Sequence, residues 1–219
     1  MLDKIFPKIH PEGYKFLIIA TLITIIIYFV SSFLGLVSLV LTVWIYYFFR
    51  DPERTVINDD NYLVSPADGL VVQVEEVEGP KELNLENKKF TKVGIFMNVF
   101  DCHVNRTPCD GKISEIVYKP GKFLNASLDK ASDENERNYV KMINSNQDEL
   151  ILVQIAGLIA RRIVCEVNEN DEIKQGDKFG IIRFGSRVDL YFENYKILVR
   201  ENQKTVSGET LIARKIKND

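Results

Sequence analysis

The sequence predicts a mainly β (β-rich α+β) soluble domain that follows an N-terminal hydrophobic membrane helix or helical hairpin. Two observations lead to this prediction. Residues 16–49 contain no charged side chain, no side-chain amide and no proline, whereas the chain after Arg50 is charged and rich in glycine. That second part consists largely of short apolar or alternating runs between turns, which is the pattern of β-strands. We therefore expect a membrane anchor at 1–50 and a folded domain at 51–219.

The apolar run is too long for one comfortable membrane span. A bilayer core of about 30 Å needs about 20 helical residues, and residues 16–49 would extend on the order of 50 Å at about 1.5 Å per residue. The segment Ser31-Ser32-Phe33-Leu34-Gly35 offers a break, which favours a hairpin with arms of about 15 residues over a single tilted helix. A signal peptide is disfavoured because the run is too long and lacks a small-residue cleavage site. Basic residues on both flanks predict that both ends lie on the cytoplasmic side.

Charge and composition exclude several classes of function. The first 50 residues are net basic and the remainder is net acidic, within a total of −3. An acidic domain without Lys/Arg clusters argues against nucleic acid as a partner, whereas a basic flank beside an apolar run fits anionic lipid head groups. Three cysteines without a CxxC spacing indicate free thiols in a reducing compartment. Only two histidines are present, so we predict no histidine-based metal site.

Most of the second part is predicted to form strands, and helical pattern is thin. A turn or two of helix is expected at 125–132, and a polar loop at 133–138. The density of short strands suggests a barrel or sandwich. The segments NENDEIKQGDKFGII and RENQKTVSGETLIA look like the half-motif hairpins of lipoyl- or biotinyl-type barrels. The predicted strands are 70–77, 92–99, 113–118, 151–167, 178–184, 187–192, 196–200 and 210–213.

Taken singly, the candidate functional residues carry little weight. Asp68 lies in the turn sequence SPADG, where an aspartate before glycine is more often a turn former. His103 is the one histidine outside the N-terminal segment, and a lone histidine beside a strand end is usually structural or exposed. The dipeptide Gly185-Ser186 is common in all proteins. Arg161 and Arg162 alternate along a predicted strand, so one could face a site while the other faces solvent.

Taken together, several strings say more, because they occur in a fixed order. They are FFRDPERTV, SPADG, FMNVFDCHVNRTPCDG, ENERNYV, QIAGLIARRIVC, GDKFGIIRFGSRVDLYF and SGETLIA. In this order and spacing they resemble the short form of the pyruvoyl-dependent phosphatidylserine decarboxylase proenzyme family, across residues 47–213. The apolar N-terminus fits this resemblance, since these enzymes act on a lipid.

The resemblance implies that the chain makes its own cofactor, a covalent pyruvoyl group, from Ser186. The Ser186 hydroxyl would attack the Gly185 carbonyl, and elimination from the resulting ester would leave pyruvoyl at the new chain end. The products would be a large chain, 1–185, and a small chain, 186–219, which remain associated. The pyruvoyl group would form a Schiff base with phosphatidylserine and release CO2 and phosphatidylethanolamine. No metal and no pyridoxal phosphate would be needed.

The same resemblance assigns roles to other residues. It implies that His103 supplies the proton needed for product release and that Asp68 takes part in self-cleavage. Longer relatives have the motif Asp-x-His-x-x-His, but Arg106 stands at the second histidine position here, and arginine cannot act as a base near neutral pH. Either His103 serves both steps, which we favour, or Asp68 acts through water. Arg106, Arg161 and Arg162 are candidate contacts for the substrate phosphate or carboxylate.

Three rival interpretations compete with this one: a membrane-anchored, lipoyl-like adaptor without activity, a pyruvoyl decarboxylase for a soluble amino acid, and a catalytically inactive relative. Adaptors of the first kind carry long coiled-coil helices, and no heptad run occurs here. A soluble substrate gives no reason for an apolar anchor. The favoured interpretation is a carboxy-lyase of the inner membrane, with its catalytic domain on the cytoplasmic side. Its expected partners are the membrane and its phospholipid substrate, with homo-oligomer formation left open.

Overall fold

The N-terminal part of the chain folds into a helical hairpin. In a computed structural model that describes residues 6–126, 134–158, 162–184 and 186–216, strand β1 (Lys8–Ile9) leads into helix α1 (Pro11–Val30), and helix α2 (Ser32–Phe48) leads into strand β2 (Arg50–Asp51). Helix α1 starts with proline and carries Glu12 in its first turn, both of which suit a helix N-terminus. The chain divides into two compact units, Met1–Glu53 and Arg54–Asp219.

A single residue, Ser31, separates the two helices. Its backbone is extended, with φ −156° and ψ 119°, and its side chain accepts a hydrogen bond from the amide of Leu34. The helices contain 20 and 17 residues, somewhat more than the predicted arms of about 15. Helix α1 is the longer one because it begins ahead of the apolar run and includes Lys15. Helix α1 is long and apolar enough to cross a membrane, and α2 is apolar but shorter.

Three hydroxyl groups join the helices of the hairpin. Thr24 Oγ1 lies 2.7 Å from Ser38 Oγ and 2.8 Å from Thr42 Oγ1. Gly35 allows the helices to approach each other, because a Cβ atom there would lie 2.7 Å from Tyr28 Cα. At the open end, β1 and β2 pair in antiparallel register. The sequence prediction of a hairpin therefore agrees with the structure.

The second unit is built around an eight-stranded sheet in which every neighbouring pair is antiparallel. In chain order its strands are β4 (Gly69–Glu78), β5 (Lys89–Met97), β7 (Gly111–Lys119), β8 (Arg137–Asn144), β9 (Glu149–Ala156), β11 (Glu172–Ile173), β13 (Ser186–Phe192) and β15 (Lys204–Thr205). Their spatial order is β11-β7-β8-β9-β13-β5-β4-β15. A short 3-10 helix, Lys81–Leu83, joins β4 to β5.

Two smaller antiparallel sheets complete this unit. One has the order β10-β12-β6, with β6 (Val104–Arg106), β10 (Arg162–Cys165) and β12 (Lys178–Arg183). The other has the order β14-β16-β3, with β3 (Tyr62–Val64), β14 (Tyr195–Ile197) and β16 (Leu211–Lys215). The main core joins one face of the large sheet to residues of both small sheets, and it includes Leu63, Val93, Phe179, Val188 and Ile212. The prediction of a mainly β domain is confirmed.

The structure corrects the sequence prediction in two places. The predicted strand 151–167 is two strands, β9 and β10, with Gly157 and Leu158 after the first. The predicted loop 133–138 runs into β8, a central strand that the prediction missed because it carries Arg137, Asn138 and Asn144, all of which are buried. For the predicted helical turn at 125–132, residues 125 and 126 are not helical, and 127–133 lie outside the described residues.

Candidate active site

Ser186 opens the central strand β13 and is completely buried. It lies opposite Met97 of β5 on one side and opposite Ala156 of β9 on the other. Its side chain points to the same face as Val188 and Leu190, which belong to the main core. Its Oγ atom has no hydrogen-bond partner among the described residues. Gly185, the other half of the predicted cleavage site, lies outside the described residues.

Asp68 is held in the turn before β4. Both of its carboxylate oxygens accept hydrogen bonds from Arg54 Nη2, at 2.9 and 2.8 Å, and Oδ1 also accepts from the Ser207 amide at 2.8 Å. The side chains of Arg54 and Asp68 are 11% and 14% exposed. Burial acts to lower the pKa of Arg54, but the charges of Asp68 and Cys102 and the hydrogen bonds to both together more than offset this, and the pKa is raised overall. Asp68 therefore faces a permanent cation.

His103 is completely buried, and a backbone carbonyl defines its tautomer. Its Nδ1 atom lies 3.0 Å from the carbonyl oxygen of Asp101. A carbonyl oxygen can only accept a hydrogen bond, so Nδ1 carries the proton. In the neutral ring, Nε2 is then the nitrogen with the lone pair, and it is the atom that can take up or release a proton.

The sheet register brings Ser186, Asp68 and His103 to the same end of the large sheet. Leu70, two residues after Asp68, lies opposite Phe96, and the next residue, Met97, lies opposite Ser186. Two strand spacings, or about 10 Å, therefore separate the starts of β4 and β13. β6 follows His103 directly, and the Arg106 amide donates to the Pro66 carbonyl at 2.9 Å. The SPADG turn and the histidine segment are thus hydrogen-bonded neighbours.

The predicted arginines lie in different surroundings. Arg106 is partly buried, and its Nη1 donates to the carbonyl oxygen of Gly176 at 2.9 Å. Its Cδ atom packs closely on Gly208, where a Cβ would lie 3.3 Å away. Arg162 is exposed at the start of β10 and lies opposite Arg183, three residues before Ser186. Arg161 lies outside the described residues.

A chain of three buried amides also reaches the Ser186 end of the sheet, and the sequence prediction missed it. Asn138 Nδ2 donates to Gln154 Oε1 at 3.0 Å, Gln154 Nε2 donates to Asn105 Oδ1 at 2.9 Å, and Asn105 Nδ2 donates to Met97 Sδ at 3.5 Å. Gly180 leaves room for this chain, since a Cβ there would lie 2.9 Å from Gln154 Nε2. A lone glutamine within the apolar run ILVQIA was the available sequence signal.

On the opposite face of β13, a second group of buried polar side chains follows Ser186 directly. Arg187 is completely buried; its Nε donates to Asp189 Oδ1 at 2.5 Å, and its Nη2 donates to Gln73 Oε1. Gly94 makes room for the guanidinium group, because a Cβ at that position would collide with it. The sequence prediction assigned no role to these residues, since alternate polar positions in a strand usually indicate an exposed face.

Neither a metal-binding cluster nor the pocket at three neighbouring segments marks this end of the sheet in the described part of the chain. No group of three or more His, Cys, Asp or Glu side chains in the described part of the chain could hold a metal ion. A pocket of about 770 Å³ is lined by residues of the segments 110–114, 143–147 and 170–174. Its lining contains none of Ser186, His103 and Asp68, so it does not mark the candidate active site.

Comparison with known proteins identifies the family. Residues 41–213 match the model of the family described as phosphatidylserine decarboxylase. The chain is 69% identical over 215 residues to the phosphatidylserine decarboxylase proenzyme of Pelagibacter ubique, covering 98% of this chain and all of that one. It is 47% identical to the proenzyme of Ruegeria pomeroyi, over 97% of this chain and 98% of that one. It is 46% identical to the proenzyme of Rickettsia typhi, over 96% of this chain and 92% of that one. The chain therefore belongs to the phosphatidylserine decarboxylase family.

Proposed function

We propose that this protein decarboxylates phosphatidylserine to phosphatidylethanolamine at a membrane, using a pyruvoyl group that it makes by cleaving itself between Gly185 and Ser186. The main support from the structure is the Ser186 hydroxyl, which is buried at the first residue of the central strand and has no hydrogen-bond partner among the described residues. Leaving a buried hydroxyl unpaired costs about 1–3 kcal/mol. A role as the attacking group gives a reason to retain it.

The proposed self-cleavage needs no external reagent except water. Ser186 Oγ attacks the carbonyl carbon of Gly185, and its proton passes to a base. The amide nitrogen of Ser186 leaves this carbon, which converts the amide into an ester. Removal of the Ser186 α-proton then breaks the Cβ–Oγ bond and releases a carboxylate on Gly185. The resulting dehydroalanine takes up water and loses ammonia, which leaves a pyruvoyl group on residue 186.

The residues around Ser186 suit this proposal. We assign the proton transfers to His103, because its Nδ1 is fixed by Asp101 and its Nε2 remains the basic nitrogen. Both oxygens of Asp68 accept from Arg54, and Oδ1 also accepts from the Ser207 amide. We therefore assign Asp68 to self-cleavage as a fixed negative charge that orients this turn. The pyruvoyl group supplies a ketone that captures the substrate amine and accepts the electrons released as CO2 departs. We assign Arg106 and Arg162 to the anionic groups of the substrate.

The hairpin supplies the proposed membrane contact. Its exposed side chains are overwhelmingly large and apolar, with Phe29 85% and Val30 81% exposed beside the turn. Both ends of a hairpin emerge on one side of a bilayer, and basic residues flank both ends here. We propose insertion into the inner membrane from the cytoplasmic side.

The decisive test is to express the full chain in membranes and measure intact masses for wild type and Ser186→Ala. Wild type should yield two chains that meet at 185/186, the smaller carrying a pyruvoyl end, and should convert phosphatidylserine. The Ser186→Ala variant should remain one chain of 25.2 kDa and should be inactive. Circular dichroism of both proteins checks that they are folded. A folded wild-type chain that stays whole would overturn the proposal.

A further inference from the structure

The buried amides of Asn105, Gln154 and Asn138 lie on the face of the large sheet to which Ser186 points. Ala156 is opposite Ser186, and Gln154 is the next residue on that face of β9. Asn138 is opposite Gln154, and Met97 is opposite Ser186 on the other side. The same side of Ser186 is therefore bordered by a polar chain that begins on β8 and ends at Met97.

The three hydrogen bonds of this chain all run in one direction. Each amide nitrogen donates to the next group towards Met97, in the order Asn138, Gln154, Asn105. Amide dipoles aligned in this way polarise one another, and the effect is stronger in a buried environment. The positive end of the chain is the Nδ2 group of Asn105. It lies beside the residue that pairs with Ser186.

The Asn105 side chain is completely buried, but its donor capacity is poorly used. An amide nitrogen carries two hydrogens. Among the described residues, the one hydrogen bond from Asn105 Nδ2 goes to a thioether sulfur, at 3.5 Å, and sulfur is a weak acceptor. Its Oδ1, in contrast, accepts a bond of ordinary length, 2.9 Å, from Gln154. The network fixes the amide and leaves its donor available.

We propose that Asn105 is a catalytic residue of self-cleavage, and that its Nδ2 donates a hydrogen bond to the oxyanion formed when Ser186 attacks the preceding carbonyl. This inference rests on the proposed function. Gln154 and Asn138 are positioning residues, because they hold Asn105 in this orientation. Such donors act where negative charge develops in the transition state.

The test measures the rate of conversion of newly synthesised full-length precursor into its two chains. Removal of one oxyanion donor typically slows a reaction by about 10²–10³-fold, and we expect this loss in Asn105→Leu, which has similar volume but no donor. Asn144→Leu is the matched control. Asn144 is also a buried strand asparagine, but it donates to Tyr195 and Asp148. It should lower the melting temperature without slowing cleavage by more than a few-fold.

Hydroxylamine separates the attack from the later elimination, because it cleaves the ester that the attack forms. If Asn105 stabilises the attack, the ester does not accumulate in Asn105→Leu, and hydroxylamine leaves the slow rate unchanged. Restoration of cleavage by hydroxylamine, or cleavage of the folded variant within a few-fold of wild type, would refute the inference. If the leucine variant does not fold, Asn105→Asp decides the question, because it keeps the acceptor for Gln154. An ionised aspartate cannot donate a hydrogen bond, so self-cleavage of this variant should slow as the pH rises. Failure of wild type to cleave would instead refute the proposed function itself.

Discussion

The buried ion pair that follows Ser186 offers a quantitative test of the fold. Arg187 and Asp189 have side chains that are 1% and 5% exposed, with Nε 2.5 Å from Oδ1, and Gln73 accepts a further hydrogen bond from the guanidinium group. Removal of one member of a buried pair leaves the other charge without compensation and typically costs about 3–5 kcal/mol. We expect this loss in Asp189→Leu and in Arg187→Met.

The two substitutions together should be much less harmful than either alone. Replacing both charges with apolar side chains removes the desolvation penalty along with the attraction, and such replacements are often neutral or stabilising. For a protein of this size, 1 kcal/mol corresponds to about 2–4 °C in melting temperature. Each single variant should therefore melt about 6–20 °C below the parent, and the double variant should melt above both.

The measurement is thermal unfolding of the full chain in detergent, followed by circular dichroism, in a Ser186→Ala background so that the chain stays whole. Glu134→Gln is the control, since it breaks an ion pair with Lys122 whose side chains are 56% and 67% exposed. Exposed pairs are worth about 0–1 kcal/mol. If the effects of Arg187→Met and Asp189→Leu simply add in the double variant, the two charges are not coupled and the reasoning is wrong.

Two further predictions concern Tyr139, a buried residue of β8, and the hairpin. Burial raises the pKa of Tyr139 to about 12, whereas an unfolded tyrosine titrates near 10. The free energy of unfolding should therefore fall as the pH rises from about 10 to 12. Equilibrium unfolding of Tyr139→Phe across this range should show a smaller fall. In the hairpin, Thr24→Val removes the bonds to Ser38 and Thr42 and should weaken helix pairing by about 1 kcal/mol, which speeds amide hydrogen exchange in α1. Thr21→Val is its control, because the side-chain bond of Thr21 among the described residues stays within its own helix, to the Leu17 carbonyl. Equal exchange in the two variants would contradict this role for Thr24.

The elements that the sequence predicts well are those whose environment is uniform. The hairpin follows from a long run without charge, interrupted by two serines and a glycine. Strands such as β4, β5 and β12 follow from apolar or alternating runs bounded by turns. In these segments local propensity and burial point to the same structure.

β8 could not be predicted in this way, because its polar residues are buried and paired within the fold. Asn138 is bonded to Gln154, and Asn144 is bonded to Asp148 and Tyr195. Gln154 and Tyr195 lie 16 and 51 positions from the asparagines that they bind, so no local pattern distinguishes the segment from a loop. The same reason explains why Arg54 was missed, since only the fold places it against Asp68.

The candidate site was accessible from sequence only through the order of its motifs. A lone histidine, a turn aspartate and a Gly-Ser pair carry little information singly, and His103 and Ser186 are 83 positions apart. The structure supplies the physical link, which is the pairing of β5 with β13 and the bond between Arg106 and the SPADG turn. It also adds the amide chain, which no motif indicated.

The position of Ser186 in the topology bears on how a cut chain could keep its fold. β12 belongs to the small sheet β10-β12-β6, whereas β13 lies in the middle of the large sheet. The proposed cut at 185/186 therefore falls in the connection between two sheets and interrupts no strand of either. From Ser186 onward, β13 keeps its pairing with β5 along seven residues and with β9 along six, and β16 keeps its pairing with β3. A chain cut as proposed would retain these ladders and the core contacts of Val188, Leu190 and Phe192, so we propose that the small chain stays held by the same interactions that fold the precursor.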